Sequence, residues 1–450
     1  MPCKDYACVF EWRYGSAEMR GLFSRDNIVK TMKLVEVALA EVLGEAGVAP
    51  PSVAEELRVA AEKVTAEMVY EEEKRTGHDI AALVFLLGRF SSKEASRWVH
   101  FGATSYDIVD TAWAVILREA IGIVKEKLKM IAERLSSIAL KDLPMPGRTH
   151  GQHATPITLG FKVANYIYEL GRSYERICDL EKRLLLVKLG GATGTMASWG
   201  EKGLKVREGV AKRLGIGYHI ISTQVAPRDG IAELISSFAI LASQLERFAV
   251  EVRELARPEI GELWEERGER IGSSAMPHKA NPVTAERVSG LSRTLRSLAS
   301  GAFENIILWH ERDLSNSSFE RFLLPHSFLI MDQILEDMIG LLDRLAYDPE
   351  RMRINLHAAN DIEMAEALMN ELILAGLTRE EAYKASKEAS RIALEKGLRL
   401  WEAACSINKV RELLECDSLK QALNPEGYVG LSERLAKDAI KHFDEQVRKC

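Results

Sequence analysis

Residues 230–258 read GIAELISSFAILASQLERFAVEVRELARP, with apolar side chains at Ile231, Leu234, Ile235, Phe238, Leu241, Ala242, Leu245, Phe248, Ala249, Val252 and Leu255. Steps of three and one lay these on one stripe of a helix of about seven turns, which Pro258 ends. Val163, Tyr166, Ile167, Leu170, Tyr174, Ile177, Leu180, Leu184 and Val187 repeat the pattern and predict a helix from after Pro156 to Gly190-Gly191. Periodic runs from Asp107 to about Ile138 and from about Ser317 to Asp343, with another helix opening near Pro282, make five long central helices. So much apolar circumference exceeds what one chain's own core covers, and a further copy is the expected cover. Neither Met1–Trp98 nor Tyr347–Cys450 alternates at period two, so both flanks read as helical. The expectation is an all-α chain of three helical domains, 1–98, a central five-helix bundle 99–346, and 347–450 after the turn at Tyr347-Asp348-Pro349.

The 450 residues carry a net charge of −6 from 60 basic and 66 acidic side chains. No basic field invites nucleic acid or anionic lipid, so the expected partner is a small molecule. The N-terminal stretch lacks a signal peptide's apolar run and nothing approaches the roughly 20 residues of a membrane span, which predicts a cytoplasmic protein. Six cysteines, at 3, 8, 178, 405, 416 and 450, form no CxxC pair and no metal-ligand spacing with the ten histidines, and no zinc site is expected. Scarce glutamine beside abundant Glu and Arg matches a hyperthermophile bias, which leaves intracellular disulfides open as a hypothesis. There is no Walker loop, no HExxH and no GxGxxG after a strand.

Three polar segments interrupt the apolar pattern. GSSAMPHKANP (272–282) sets hydroxyls (Ser273, Ser274), a cation (Lys279) and an amide (Asn281) in one loop spanning about 268–282, fit to embrace a carboxylate. GRTHGQHATP (147–156) places Arg148, Thr149, His150 and Gln152 in a proline-bounded loop before a long helix. HFGATSYDIVDT (100–111) puts Thr104 and Ser105 ahead of a helix beginning near Asp107, where they serve as N-caps or as an anion site.

Together these segments resemble the signatures of the fumarase/aspartase superfamily, homotetrameric helical enzymes that eliminate fumarate through an enolate-like dianion. The signature loop does not choose among fumarase, aspartase, argininosuccinate lyase, adenylosuccinate lyase and carboxymuconate cycloisomerase. Arg13-Tyr14, RTGHD (75–79), TQVAPRD (223–229) and WHERDLSNSS (309–318) look like the adenylosuccinate lyase family. That resemblance implies a C–N lyase without cofactor or metal, cleaving adenylosuccinate to AMP and fumarate and, in parallel, the succinylaminoimidazole carboxamide ribotide SAICAR to AICAR. It implies Ser273 as general base, His150 as general acid, His78 tuning His150, and Lys279 stabilising the dianion. Thr104, Ser105, Gln224, Ser274 and Asn281 would hold the succinyl carboxylates. Arg13, Tyr14, Arg287, Ser317 and Arg321 would hold the phosphate, with Arg312 near the reacting end and Asp79 facing base or ribose. A homotetramer with each site drawn from three subunits is implied as well. The rival readings are an argininosuccinate lyase, which needs no phosphate donors, and a catalytically silent scaffold, which needs none of Ser273, His150 and Lys279.

Overall fold

A computed structural model describes residues 8–268, 275–276 and 278–450. Ser273 and Ser274 lie outside the described residues. The architecture is all-α, with long helices at Ser105–Ala139, Leu159–Leu184, Asp229–Leu255, Val283–Glu304 and Ser315–Leu342 and three small two-stranded sheets among the described residues. Both flanks are helical as the pattern requires.

Two expectations are corrected. The helix expected to reach Gly190-Gly191 stops at Leu184, because Leu186–Val187 leaves it to pair in parallel with Gly217–Tyr218. The proline-bounded segment before it is not a loop. Pro144–Thr149 and Gln152–Thr158 form an antiparallel ribbon that pairs Thr149 with Gln152 across a two-residue turn. At that turn His150 (φ 55) and Gly151 (φ 76) are both left-handed. Two positive φ values in succession match the right-handed twist of paired strands. Prolines fit because each strand of an isolated ribbon has an outer edge where no N–H is needed.

The chain divides into two compact units. The first comprises residues Met1–Leu128, Ser173–Ser243 and Gly290–Glu336. Its N-terminal helices, including Arg25–Glu45 and Asp79–Arg89, bury Val35, Leu39, Leu43, Leu57, Leu83 and Leu87 against Val206 and Val210 of Gly203–Leu214. Its parts of the long helices meet through Phe238 and Phe328, ring centroids 4.9 Å apart, and through Ser292 Oγ, which donates to the Ala242 carbonyl at 3.1 Å.

The second unit comprises Lys129–Arg172, Gln244–Ser289 and Asp337–Cys450. Tyr166 packs edge-on against Phe248, and Lys162 pairs with Glu251 at 2.6 Å. Its C-terminal helices enclose Met364, Leu368, Leu372, Leu400, Val410 and Leu419. A disulfide joins Cys405 to Cys416 across 11 residues. Nearby, both carboxylate oxygens of Glu363 are buried without a side-chain partner among the described residues, and burial pushes this group up to about 7.

Two measurements check this unit. Closing a loop of that length contributes about 3 kcal/mol. C405A should therefore lower the thermal midpoint and expose one more titratable thiol than wild type under denaturing, non-reducing conditions; one thiol fewer than wild type would mean the bond does not form in solution. For Glu363, a raised carboxyl binds its proton more tightly folded than unfolded, so its burial is tolerated below about pH 4.5 and costs stability as pH rises from there towards 7. Glu363→Gln should raise the thermal midpoint at pH 8 and leave it unchanged near pH 4, and equal shifts at both would refute the ionisation.

Candidate active site

In the first unit the helix Ser105–Ala139 begins two residues before the expected Asp107. Asp107 reaches back over that start. Its Oδ2 accepts from the N–H of Thr104 (2.8 Å) and of Gly191 (2.9 Å), and its Oδ1 from the N–H of Gly190 (2.9 Å) and from Lys188 Nζ (2.6 Å). Asp107 and Lys188 are both 0 % exposed. Four donors satisfy the carboxylate completely, which is what makes a buried charge tolerable. One turn on, Asp110 takes both terminal nitrogens of Arg228 at 2.9 Å, and Arg228 Nε lies 2.9 Å from Glu320. The two carboxylates hold the Arg228 guanidinium well above its usual range against the opposing effect of burial.

Glu320 of this network lines a cavity of about 360 Å³, the size of a small-ligand site. His78, Asp79, Ser105, Arg312, Ser317 and Arg321 line its polar side. Ile28, Met32, Val69, Tyr70 and Trp113 line its apolar side. Arg312 lies over the Tyr106 ring, 3.8 Å from its centroid, and donates from Nη1 to Gln224 Oε1 at 3.0 Å. Its Nε and Nη2 are buried and meet no acceptor among the described residues. A guanidinium so placed needs an anion. Arg321 reaches Asp79 at 2.9 Å, while Gln224 Nε2 donates to the Ala192 carbonyl at 3.0 Å. Burial raises the Tyr106 hydroxyl above its usual range, partly offset by its bond to Ser317.

His78 is the N-cap of Asp79–Arg89, and its ring lies 3.2 Å from the Asp79 carboxylate. The preceding Gly77 (φ 68) ends the helix Ala66–Thr76 in a left-handed turn, so a glycine serves here whatever the substrate contacts. Arg13 and Tyr14 sit on the turn before the helix Ala17–Leu22, outside the cavity lining.

In the second unit His150 is exposed at the tip of the ribbon. Lys279 is exposed and its N–H bonds the Met276 carbonyl at 3.0 Å. Asn281 accepts from the Val283 N–H at 2.9 Å. The described ends of the signature segment are held together, since Glu265 accepts from the Thr284 N–H at 3.0 Å and from its hydroxyl. Arg287, expected among the phosphate donors, is engaged by Asp337, with Nε–Oδ2 at 2.7 Å. Among the described residues no group of three or more His, Cys, Asp or Glu could hold a metal ion. Among the described residues no helix is long and apolar enough to cross a membrane.

Sequence reasoning missed Tyr106, Asp107, Asp110, Lys188, Arg228 and Glu320. One signal was available, because Asp107, Asp110 and Thr111 interrupt an apolar helix at i, i+3 and i+4, which puts three polar groups on one buried face.

Comparison with known proteins follows this geometry. Residues 15–296 match the family model described as Lyase, and 349–401 match that of the adenylosuccinate lyase C-terminal domain. The chain is 40% identical over 437 residues to an adenylosuccinate lyase of Methanothermobacter thermautotrophicus, covering 96% of this chain and 97% of that one. It is 39% identical over 444 residues to one from Pyrococcus horikoshii, covering 98% of each. Among solved structures, a 3-carboxy-cis,cis-muconate lactonizing enzyme from Pseudomonas putida superposes with a TM-score of 0.87 at 30% identity, covering 98% of this chain and 99% of that one. A fumarate lyase from Mesorhizobium sp. BNC1 gives 0.86 at 28%, covering 97% and 99%.

Removing Lys188's charge tests the buried pair. Lys188→Met strands Asp107 and should cost about 3–5 kcal/mol of unfolding free energy. Denaturant unfolding reads it, and a loss below about 1 kcal/mol would show that the backbone donors alone suffice.

Proposed function

The chain belongs to the adenylosuccinate lyase family, and on that premise we propose that it cleaves adenylosuccinate to AMP and fumarate in purine synthesis, and SAICAR to AICAR likewise. Family membership makes it a lyase. The observation that carries the nucleotide reading is Arg312, whose buried Nε and Nη2 await an anion in a cavity it shares with Ser317 and Arg321. A phosphate supplies several acceptor oxygens at once to a planar donor fork.

The reaction breaks a C–N bond beta to a carboxylate. Ser273 removes the carbon-bound proton, His150 protonates the departing nitrogen, and Lys279 and neighbouring amides stabilise the dianion between them. His78 tunes the acid, and Asp79 faces base or ribose. Thr104, Ser105, Gln224, Ser274 and Asn281 hold carboxylates, while Arg13, Tyr14, Ser317 and Arg321 bind phosphate; Arg312, expected near the reacting end, is reassigned to the phosphate because its two buried donors share a cavity with Ser317 and Arg321. Arg287, paired with Asp337, orients the start of Val283–Glu304 instead. Elimination calls for no redox or metal cofactor.

We assign the assembly as a homotetramer whose sites combine three subunits, and the compartment as the cytoplasm. Large exposed apolar side chains on the long helices, such as Ile240, Val250 and Phe303, support burial against further copies. The division into 1–98, 99–346 and 347–450 is supported at its second boundary by the C-terminal family match, which begins at 349.

Purified protein added to adenylosuccinate should release AMP and fumarate, followed by ultraviolet absorbance, and Ser273→Ala should abolish it. Arg312→Ala should raise KM by about 10- to 100-fold, the worth of one or two charge-assisted hydrogen bonds. Cleavage of argininosuccinate in place of the nucleotide would overturn the substrate, and inactivity on both would leave the scaffold reading.

A further inference from the structure

The ribbon that presents His150 is a thin support for a proton donor. Two strands with a left-handed turn at their tip bend easily unless something grips them. The grip lies one turn below the tip. Arg148 donates from Nη1 to Glu262 Oε2 at 2.8 Å and from Nη2 to Oε1 at 2.6 Å, a two-pronged pair with a carboxylate that is 0 % exposed. Asn355 Nδ2 adds a third donor to Oε1 at 2.8 Å and also reaches the Ile260 carbonyl at 2.9 Å.

Glu262 is itself fixed on both sides. Its N–H bonds the Leu255 carbonyl at 3.1 Å, and its carbonyl accepts from the Asp348 N–H at 3.1 Å. The next residues, Leu263–Glu265, pair antiparallel with Leu345–Tyr347 and lead into the signature segment. The helix Pro349–Leu356, which carries Asn355, packs on the first strand, and the short turns Ile362–Met364 and Pro425–Gly427 pack on the ribbon as well. Glycine at 147 completes the fit, since a Cβ there would lie 2.4 Å from the Thr155 carbonyl oxygen.

We propose that Glu262, held by Asn355 and clamping Arg148, is the positioning residue that sets the orientation of His150, and that the C-terminal segment serves as the platform for this clamp. The proposal rests on His150 being the general acid. A bidentate carboxylate–guanidinium pair fixes orientation as well as distance, which a single bond or a lysine in place of arginine does not. Outer partners of this kind act on catalysis by holding a reacting group within a fraction of an ångström.

The clamp also sets the local field. His153 faces Arg148 across the ribbon, and burial lowers its ring below the usual imidazole range; Arg148 lowers it further and Glu262 pulls it back up. The charged groups on the helix Pro349–Leu356 and the two short turns are Glu350, Arg351, Arg353, Glu363 and Glu426, flanked by His357, Asp361 and Arg399. Glu350 takes Arg353, Asp361 takes Arg399 and His357, and Glu426 lies 3.3 Å from His357 Nε2, whereas Glu363 meets no side chain among the described residues.

Steady-state kinetics of Glu262→Gln, Arg148→Gln and the double variant on adenylosuccinate, across pH, provide the test. The singles should lose about 10- to 100-fold in kcat with KM within about threefold, and the double should be no worse than either single. Simple loss of folded enzyme also lowers kcat, so the pH profile decides. Without the Glu262 charge Arg148 acts alone, and the alkaline limb of kcat should move to lower pH; without Arg148 it should move to higher pH. Limbs that stay put or move together would overturn the proposal, as would kcat within twofold of wild type. Where Glu262→Gln does not fold, Asn355→Ala removes one donor and should show a smaller kcat loss with the limb shifted, and an unchanged kcat would overturn it equally. If the wild type does not cleave adenylosuccinate, the activity reading fails on its own. Histidine-ring NMR titration of the same variants then decides the clamp, with His153 moving down in Glu262→Gln and up in Arg148→Gln supporting it and no shift overturning it.

Discussion

A carboxylate with no access to water governs the cavity. Asp107 sits at the start of the longest helix, and its four acceptor positions are filled from two stretches of chain, by Thr104 just before the helix and by Lys188, Gly190 and Gly191 about 80 residues on. An unpaired charge in that place would cost several kcal/mol, so these segments have one acceptable arrangement. Ser105 and Tyr106, next to the anchor in the chain, line the cavity. Their positions follow from it.

The same logic repeats one turn along. Arg228 is shared by Asp110 and Glu320, and Tyr106 lies beneath both Arg228 and Arg312. Arg228 is flanked by two carboxylates, hydrogen-bonded to Asp110 and 2.9 Å from Glu320, whereas Arg312 meets no carboxylate and keeps Nε and Nη2 buried without an acceptor among the described residues. The contrast separates a cation neutralised by protein carboxylates from one that is not, and it is the second that supports the proposed anion site. Buried ion pairs are weak evidence for stability, since apolar replacements often do as well, but they specify geometry, and geometry is what a substrate site requires.

A different device holds His150. A two-residue turn with both φ angles positive is tolerable for glycine and strained for histidine. Strain of this kind persists only where the surroundings over-determine it. Here the Arg148–Glu262 pair, Asn355 and the turns of the C-terminal segment supply that determination.

The sequence by itself determined the all-α class, the extents of the five long helices to within a few residues, and the family, because helical periodicity and short polar signatures are local properties of the chain. It misread residues 144–158, where prolines normally break strands and no local signal distinguishes a ribbon with two free edges from a loop. It ran one helix too far, since the pairing of Leu186–Val187 with Gly217–Tyr218 joins residues about 30 apart. Only the tertiary structure decided which charged residues are engaged and which await a ligand. Arg287 and Arg312 look alike in the sequence, yet one meets Asp337 fifty residues on and the other meets Tyr106 and Gln224. Ion pairing depends on distances of a few ångströms between side chains remote along the chain, and those distances exist only after the helices have packed.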